Sequence, residues 1–285
     1  MFRGVLRRSV TALAFGFLMV TGCVVDLRDR STVKLYALDC GSFEFFDISA
    51  FSREGYFDGE GLSLAVPCFL IRHPDGDLLW DAGLEQSLAD TPEGVENDIF
   101  HMRLETRLTD QLRQLGLEPP DLDYLSISHS HWDHAGNCNL FAGSTFIVQR
   151  QEHSFMFSEA KRADPESFAV YSALEEAETV LFEEEYDVFG DGTVVIKAMP
   201  GHTPGHSVLL LRLENAGAVL LTGDLYIHAR GRELRAIPTF NTDEGATVES
   251  MERFEALAKE EEARVVIQHE RADFEALPPF PAFLD

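Results

Sequence analysis

Short apolar runs alternate with turns along the chain from Val33 onward. Apolar runs of this length, bounded by turn residues, predict buried β-strands. The sequence HPDG at 73–76 separates the first two runs and predicts a turn that joins them. The predicted strands lie within residues 62–72, 77–83, 123–130, 144–149, 193–199, 207–213, 218–224 and 263–270.

Two stretches between these runs have the periodicity of amphipathic helices. Leu108, Leu112 and Leu115 share one face of a helix that we expect to end near Gly116, a residue type suited to a helix C-terminus. A second helix before the last strand is predicted by the apolar positions Val248, Met251, Phe254 and Leu257. Strands that alternate with helices predict an α/β fold with helices covering the sheet. No linker divides the chain after residue 32, so we expect one domain over 33–285.

The first 22 residues have a different pattern, in which Arg3, Arg7 and Arg8 precede an uncharged, apolar stretch at 9–22. A basic segment followed by an apolar segment too short to span a membrane predicts a secretory signal peptide. The stretch ends in VTGC at 20–23, which resembles the lipobox of bacterial lipoproteins. That resemblance implies export and a lipid on Cys23 that anchors the protein to a bacterial membrane on the periplasmic side, with residues 23–32 as a tether. An uncleaved N-terminal anchor and a plain signal peptide are the alternatives.

Acidic residues outnumber basic residues by 49 to 23, which gives a net charge of −26. Cleavage after residue 22 would remove three arginines and no acids, so the net charge would become −29. A surface this negative repels phosphate backbones, and we therefore expect no nucleic-acid partner. The ordinary consequence of such a charge is solubility.

Four cysteines occur in the chain, and three remain if Cys23 carries a lipid. Cys40, Cys68 and Cys138 form an odd set, which cannot all pair in an exported protein. The chain has no CxxC motif, so a structural zinc site built from thiolates is not expected. Cys138 lies close in sequence to a group of histidines, but a small packed thiol is the simpler interpretation.

That group of histidines lies in SISHSHWDHAGNC, residues 126–138. His129 and His131 are two apart on an extended segment, so their side chains point the same way. Asp133 and His134 follow where the chain must turn, which allows both to reach back toward the same pocket. Imidazole and carboxylate suit zinc and similar ions. The cluster therefore predicts a metal site rather than a polar loop with hydrogen-bonded histidines.

The H-x-H-x-D-H motif resembles the signature of the metallo-β-lactamase superfamily, and three later segments extend the resemblance. MPGHTPGHS at 199–207 offers His202, LLTGD at 220–224 offers Asp224, and VVIQHE at 265–270 offers His269. Each follows an apolar run, and they occur in the order of the family. The resemblance spans residues 33–285 and implies an α/β fold, a four-layer αββα sandwich of the metallo-β-lactamase type.

The same resemblance implies two Zn²⁺ or similar divalent ions, held by seven side chains. The first ion would be held by His129, His131 and His202, the second by Asp133, His134 and His269, with Asp224 as the bridge. Two neighbouring ions generate a hydroxide near neutral pH, which is the expected nucleophile, and polarise a substrate oxygen. Asp133 would also transfer a proton as the attacked bond breaks, unless it acts only as a ligand. His206 is expected to support the centre rather than to bind an ion.

Within the superfamily, four segments resemble the N-acyl homoserine lactone hydrolases, which are quorum-quenching lactonases. They are LYALDCG at 35–41, VPCFLIRHPDGDLLWDAGL at 66–84, HWDHAGN at 131–137 and MPGHTPGHS at 199–207. The implied reaction is the opening of an acyl homoserine lactone ring by the metal-bound hydroxide. A tyrosine polarises the lactone carbonyl in such relatives, and Tyr226 is the candidate here. Tyr226 follows Asp224 more closely than expected, and a packed aromatic is the alternative interpretation.

An apolar groove is needed for the acyl chain, and the phenylalanine-rich segments at 42–51 and 154–157 are candidates. Most phenylalanines are nevertheless core residues. A cluster of basic residues that would grip a glutathione thioester is not recognisable. Two other functions stay open, namely another ester or thioester hydrolase of this fold and a non-catalytic, metal-stabilised lipoprotein. The intact ligand set argues against the second.

Overall fold

The computed structural model describes residues 31–285 as an α/β structure with two β-sheets. The predicted signal peptide at 1–22, the lipobox cysteine Cys23 and most of the predicted tether lie outside the described residues. The strands are β1 (Lys34–Phe45), β2 (Leu62–His73), β3 (Gly76–Trp80), β4 (Val95–Glu96), β5 (Phe100–Arg103), β6 (Tyr124–Ser126), β7 (Thr145–Gln149), β8 (Thr179–Phe182), β9 (Glu185–Asp187), β10 (Val194–Ala198), β11 (Ser207–Leu213), β12 (Gly217–Leu221) and β13 (Arg264–Val266).

The helices of the described residues are mostly short. The α-helices are α1 (Leu108–Gln114), α2 (Trp132–Ala135), α3 (Arg150–Met156), α4 (Glu159–Arg162), α5 (Pro165–Ala169), α6 (Ala229–Leu234), α7 (Glu244–Glu260) and α8 (Arg271–Glu275). Single 3-10 turns cover Ser49–Phe51, Gln86–Asp90, Pro119–Asp121, Cys138–Phe141 and Ser172–Glu176. In this part of the chain, no helix has both the length and the apolar character needed to cross a membrane.

The direction of the strands brings several C-terminal ends to the same edge. The larger sheet has the order β4-β5-β1-β2-β3-β6-β7-β8, and the smaller sheet has the order β13-β12-β11-β10-β9. In the larger sheet β3, β6, β7 and β8 run parallel. In the smaller sheet β12 and β13 are parallel, and β10 runs the same way because β11 is antiparallel to both β10 and β12. The loops that follow β3 and β6 therefore leave the larger sheet at one edge. The loops that follow β10, β12 and β13 likewise leave the smaller sheet at one edge.

Three apolar layers hold the sheets and helices together. The layer between the sheets is formed by buried side chains such as Trp80 and Leu209. The outer face of the larger sheet packs against α1 through Leu112. The outer face of the smaller sheet packs against α7 through Met251 and Phe254. The result is the predicted four-layer αββα sandwich.

All eight predicted strands and both predicted helices are present, but four strands end three or four residues earlier than predicted. The strands predicted at 77–83 and 218–224 end at Trp80 and Leu221. The strand predicted at 123–130 ends at Ser126, and the one predicted at 263–270 ends at Val266. The residues that follow leave the sheet as loops at its edge. The pattern did not predict β1, in which most side chains on both faces are buried, so the chain shows no clean alternation there.

A disulfide joins Cys40 of β1 to Cys68 of β2, which the sequence alone did not assign. Cys138 is a free, buried thiol. Burial raises the pKa of this thiol well above its ordinary value, so it stays protonated and packs as a small apolar group. The interpretation of Cys138 as a packed thiol is confirmed.

Candidate metal centre

The seven predicted ligand residues come together at the edge where the strands end. They lie in the segments that follow β6, β10, β12 and β13, with Asp133 and His134 in the short helix α2. Their possible ligand atoms form two groups, and within each group these atoms lie within 4.8 Å of one another. The first group contains His129, His131, His202 and Asp224, and the second contains Asp133, His134 and His269.

Three ring nitrogens converge in the first group. Nε2 of His129 lies 2.9 Å from Nδ1 of His131 and 3.1 Å from Nε2 of His202. The nitrogens of His131 and His202 are 3.0 Å apart. Nitrogens around one tetrahedral zinc ion are about 3.3 Å apart, so this spacing fits a shared cation. Oδ2 of Asp224 completes the group, 3.3 Å from Nε2 of His202 and 3.7 Å from Nε2 of His129.

The second group meets the other oxygen of Asp224. Nε2 of His134 and Nε2 of His269 are 3.0 Å apart, and Oδ1 of Asp224 lies 3.1 Å from each. This oxygen is buried and accepts no hydrogen bond of good geometry. Oδ2 of Asp133 lies 3.6 Å from Nε2 of His269 and 3.8 Å from Nε2 of His134. The two oxygens of one carboxylate thus face the two groups, as a bridging ligand requires.

Hydrogen bonds at the far side of three imidazoles decide which ring nitrogen can bind a cation. Nδ1 donates to an acceptor oxygen in His134 (Asp81, 3.0 Å), His202 (Asn241, 2.9 Å) and His269 (the Ala65 carbonyl, 2.7 Å). Because these oxygens only accept, Nδ1 carries the proton and Nε2 keeps its lone pair toward the centre.

The electrostatics of the two groups also suit cations. Burial lowers the pKa of His202 to about 4 and places the pKa of His129 well below its usual value, so both imidazoles are neutral at pH 7. Burial acts in the same direction on His134, but the carboxylates of Asp224 and Asp81 outweigh it and raise the pKa above its usual value. The surrounding carboxylates therefore favour positive charge at the second group.

Asp81 supports the centre and was not singled out from the sequence. It is fully buried, it has a positive φ of 60°, and it accepts from the backbone N–H of Ser128 at 2.6 Å and from Nε2 of Gln268 at 2.7 Å. Oε1 of Gln268 in turn accepts from the backbone N–H of Gly223 at 2.9 Å. One network therefore connects the loops after β3, β6, β12 and β13. The available signal was the position of Asp81 at the end of an apolar run, which it shares with the ligands.

His206 has the supporting role expected from the sequence. Its Nδ1 donates to the carbonyl of Met199 at 3.0 Å, and its Nε2 accepts from the backbone N–H of Asp224 at 2.9 Å. Gly223 makes this approach possible, because its φ is +51° and a Cβ there would lie 2.5 Å from Nε2 of His206. His206 thus fixes the backbone of Asp224.

The structure does not bring Tyr226 to the centre. Its hydroxyl donates to Glu255 of α7 at 3.0 Å, and its ring packs edge-on against Phe254. The side chain belongs to the apolar layer between the smaller sheet and α7. Ile227, the next residue, lines the cavity above the centre instead. This placement favours the packing role that was the alternative for Tyr226 over the predicted catalytic role.

A cavity of about 380 Å³ opens above the two groups. His131, Asp133, Asp224 and His269 form its polar floor. Ten aromatic and aliphatic side chains form its walls, among them Phe43, Phe45, Phe51, Phe100, Trp132 and Ile227. The segment 42–51 thus lines the cavity, whereas Phe157 of the segment 154–157 packs in the core. Such a site suits a small molecule with one polar reacting group and an apolar tail.

Comparison with known proteins gives the same family. The chain matches the Metallo-beta-lactamase superfamily over residues 63–269. It is 30% identical over 268 residues to the N-acyl homoserine lactonase AttM of Azorhizobium caulinodans, which covers 89% of this chain and 99% of that protein. It is 29% identical over 233 residues to the N-acyl homoserine lactonase AiiA of Bacillus thuringiensis subsp. kurstaki, covering 79% of this chain and 89% of that protein.

A solved structure of an N-acyl homoserine lactone hydrolase has the product N-hexanoyl-L-homoserine bound at its catalytic metal centre. It is similar to this chain with a TM-score of 0.75 and 27% sequence identity, covering 88% of this chain and 98% of that chain. The superfamily match extends over more than half of the sequence and includes the positions of all seven predicted ligands. The chain therefore belongs to the metallo-beta-lactamase superfamily.

Proposed function

We propose that the protein is a dinuclear metal-dependent hydrolase that opens the lactone ring of N-acyl homoserine lactones. The observation that carries this proposal is the position of Asp224, which joins two ligand groups at the floor of an apolar cavity. The lactonase relatives and the product-bound structure support the choice of substrate class.

The donor set fits two divalent ions, and zinc is the ion that we propose. His129, His131 and His202 would hold the first ion, Asp133, His134 and His269 the second, and Asp224 would contact both. Neutral imidazoles combined with carboxylates are the ligands that zinc prefers. When bound, the ions would activate a water near neutral pH and polarise the lactone carbonyl.

Asp133 is the residue best placed to move a proton. Its side chain is 17% exposed, compared with 7% for Asp224, and it lies in the cavity floor. A carboxylate at this position can take the proton of the attacking water and deliver it to the ring oxygen as that oxygen leaves. Asp133 would perform this step while one of its oxygens remains a ligand.

The walls of the cavity favour an uncharged substrate with an acyl chain. Burial of the chain against the aromatic walls contributes about 25 cal/mol per Å² of apolar surface. Among the described residues that line the cavity there is no lysine or arginine, and Asp47 adds a negative charge. An anionic glutathione thioester would therefore find no counter-charge. Other uncharged lactones and esters fit the same walls and belong in the assay.

A pH-drift assay of ring opening tests the proposal. We expect the purified full chain, loaded with zinc, to hydrolyse acyl homoserine lactones and to lose this activity on chelation. The panel should include other lactones, a carboxylic ester and a glutathione thioester. His134→Ala should remain folded and lose orders of magnitude in kcat/KM. A chain with two ions bound and no activity on acyl homoserine lactones would refute the substrate class.

We also propose that the protein is exported and held at a membrane by a lipid on Cys23. The Cys40–Cys68 disulfide supports an oxidising compartment, because such bonds are rare in the cytosol. Residues 31–33 lie near His73 and Pro74 at the β2–β3 turn, the end of the sandwich opposite the metal centre. A tether attached there would leave the cavity accessible. Cys23→Ala should release the protein from the membrane fraction, and its retention there would contradict the anchor.

A further inference from the structure

One buried carboxylate outside the ligand set joins two loops of the centre. Glu152 lies in α3, and 1% of its surface is exposed. Its Oε1 accepts from the backbone N–H of Ser130 at 2.8 Å and from the Ser130 hydroxyl at 2.6 Å. Its Oε2 accepts from the hydroxyl of Thr203 at 2.6 Å and from the backbone N–H of Gly205 at 3.0 Å. Each carboxylate oxygen therefore accepts hydrogen bonds from one of the two loops.

These two loops supply all the imidazoles of the first group. Ser130 lies between His129 and His131, and Thr203 directly follows His202. The separation of the two loops consequently sets the separation of the three ring nitrogens. The second group depends on different contacts, because Asp81 accepts from Nδ1 of His134.

The local packing explains why a glutamate is needed. A carboxylate offers two acceptor oxygens, whereas the amide of a glutamine offers only one. The loop approaches α3 so closely that a Cβ on Gly205 would lie 2.2 Å from the backbone nitrogen of Glu152. A carboxylate buried this deeply is costly unless donors surround it, and the four donors of the two loops meet that need.

We propose that Glu152 is a positioning residue, which sets the distance between the His129–His131 loop and His202 and thereby the affinity of the first group for its ion. This inference rests on the proposed function, because it assumes that the centre holds metal ions. Glu152 acts only through the ligands, since its own oxygens are occupied by the loops.

The test measures how many ions each variant retains as a chelator is titrated into the zinc-loaded full chain. Glu152→Gln keeps the shape of the side chain and removes one acceptor. We expect one of the two ions to be bound about 10- to 100-fold more weakly, while the other is retained as in the wild type. Ser130→Ala and Thr203→Val each remove one hydrogen bond and should weaken the same ion to a smaller extent. These two variants decide the question if Glu152→Gln does not fold.

Asp77→Asn is a matched control, because Asp77 is also a fully buried carboxylate and accepts from Arg72 at 3.2 Å. Asp77 lies near the start of β3, at the end of the strand far from the centre. This variant should lose stability on heating and retain both ions. Two outcomes would overturn the role of Glu152. One is equal loss of both ions in Glu152→Gln, and the other is a wild-type chelation profile in all variants at Glu152, Ser130 and Thr203. A wild-type chain that binds no ion would overturn the proposed function instead.

Discussion

Tyr226 and Ile227 are neighbours on the loop after Asp224, yet their side chains lie in different parts of the molecule. Ile227 lines the cavity, whereas Tyr226 packs under α7. In this loop after β12 two consecutive side chains have different surroundings, so a shift of one position decides which side chain lines the cavity. Glu255, which accepts from the Tyr226 hydroxyl, also pairs with Arg232 at 2.8 Å. The tyrosine therefore belongs to a surface network of α6 and α7.

Replacement of Tyr226 by phenylalanine should leave kcat and KM for acyl homoserine lactones unchanged. The variant loses one hydrogen bond, and Glu255 keeps its arginine partner, so we expect a loss of at most about 1 kcal/mol in the free energy of unfolding. Steady-state kinetics and denaturant titration measure the two effects. A tenfold drop in kcat would instead show that Tyr226 takes part in the reaction.

The sequence identifies the candidate ligands far better than the residues that support them. His129, His131 and His134 form a dense motif, and residue types of this kind at this spacing point to a metal. Asp81 and Glu152 are single carboxylates in a chain with 49 acidic residues, and no spacing distinguishes them. Their importance arises from burial and from hydrogen bonds to loops that are distant in sequence, which only the fold reveals.

At the scale of elements, the end of β1 builds one wall of the cavity. Phe45, the last residue of β1, lines the cavity, and its ring contacts Phe100 of β5 with centroids 5.4 Å apart. Phe46 follows directly, is 46% exposed and does not line the cavity. The sequence predicted a phenylalanine-rich wall at 42–51 but could not assign its members, because β1 itself was not recognised. The sequence predicts that β6 and β13 extend further than they do. The loops that carry the candidate ligands continue the apolar runs of these strands, so the pattern does not mark where the strands end.

The alternation between these two phenylalanines gives a prediction with an internal control. Phe45→Ala removes part of the apolar wall, so it should lower kcat/KM for decanoyl homoserine lactone about tenfold more than for the butanoyl compound. Phe46→Ala removes a side chain of the same size outside the cavity and should leave both values unchanged. Kinetics across a series of acyl chain lengths measures the difference. Equal losses for short and long chains in Phe45→Ala would show that the acyl chain does not use this wall.

At the scale of the whole molecule, each group of ligands is assembled from both sheets. The loop after β6 of the larger sheet supplies His129 and His131 to the first group, and the loop after β10 of the smaller sheet supplies His202. The second group likewise combines His134 from the larger sheet with His269 from the smaller. A bound ion therefore acts as a cross-link between the two halves of the sandwich, in addition to the apolar layer between the sheets. The resemblance to the superfamily that these motifs carry implies this sandwich, but it does not give the path of each loop.

This cross-linking predicts that zinc raises the melting temperature of the protein. An ion present at 100 times its dissociation constant stabilises the folded state by about 2.7 kcal/mol. In a domain of this size, each kcal/mol shifts Tm by roughly 2–4 °C, so each ion should add about 5 to 11 °C. Calorimetry of the chelated and the zinc-loaded full chain measures the shift, and His134→Ala should lose the increment of the second ion while keeping that of the first. If zinc bound to the wild type without changing its Tm, the ions would not join the two halves, because a ligand that favours only the folded state must stabilise it.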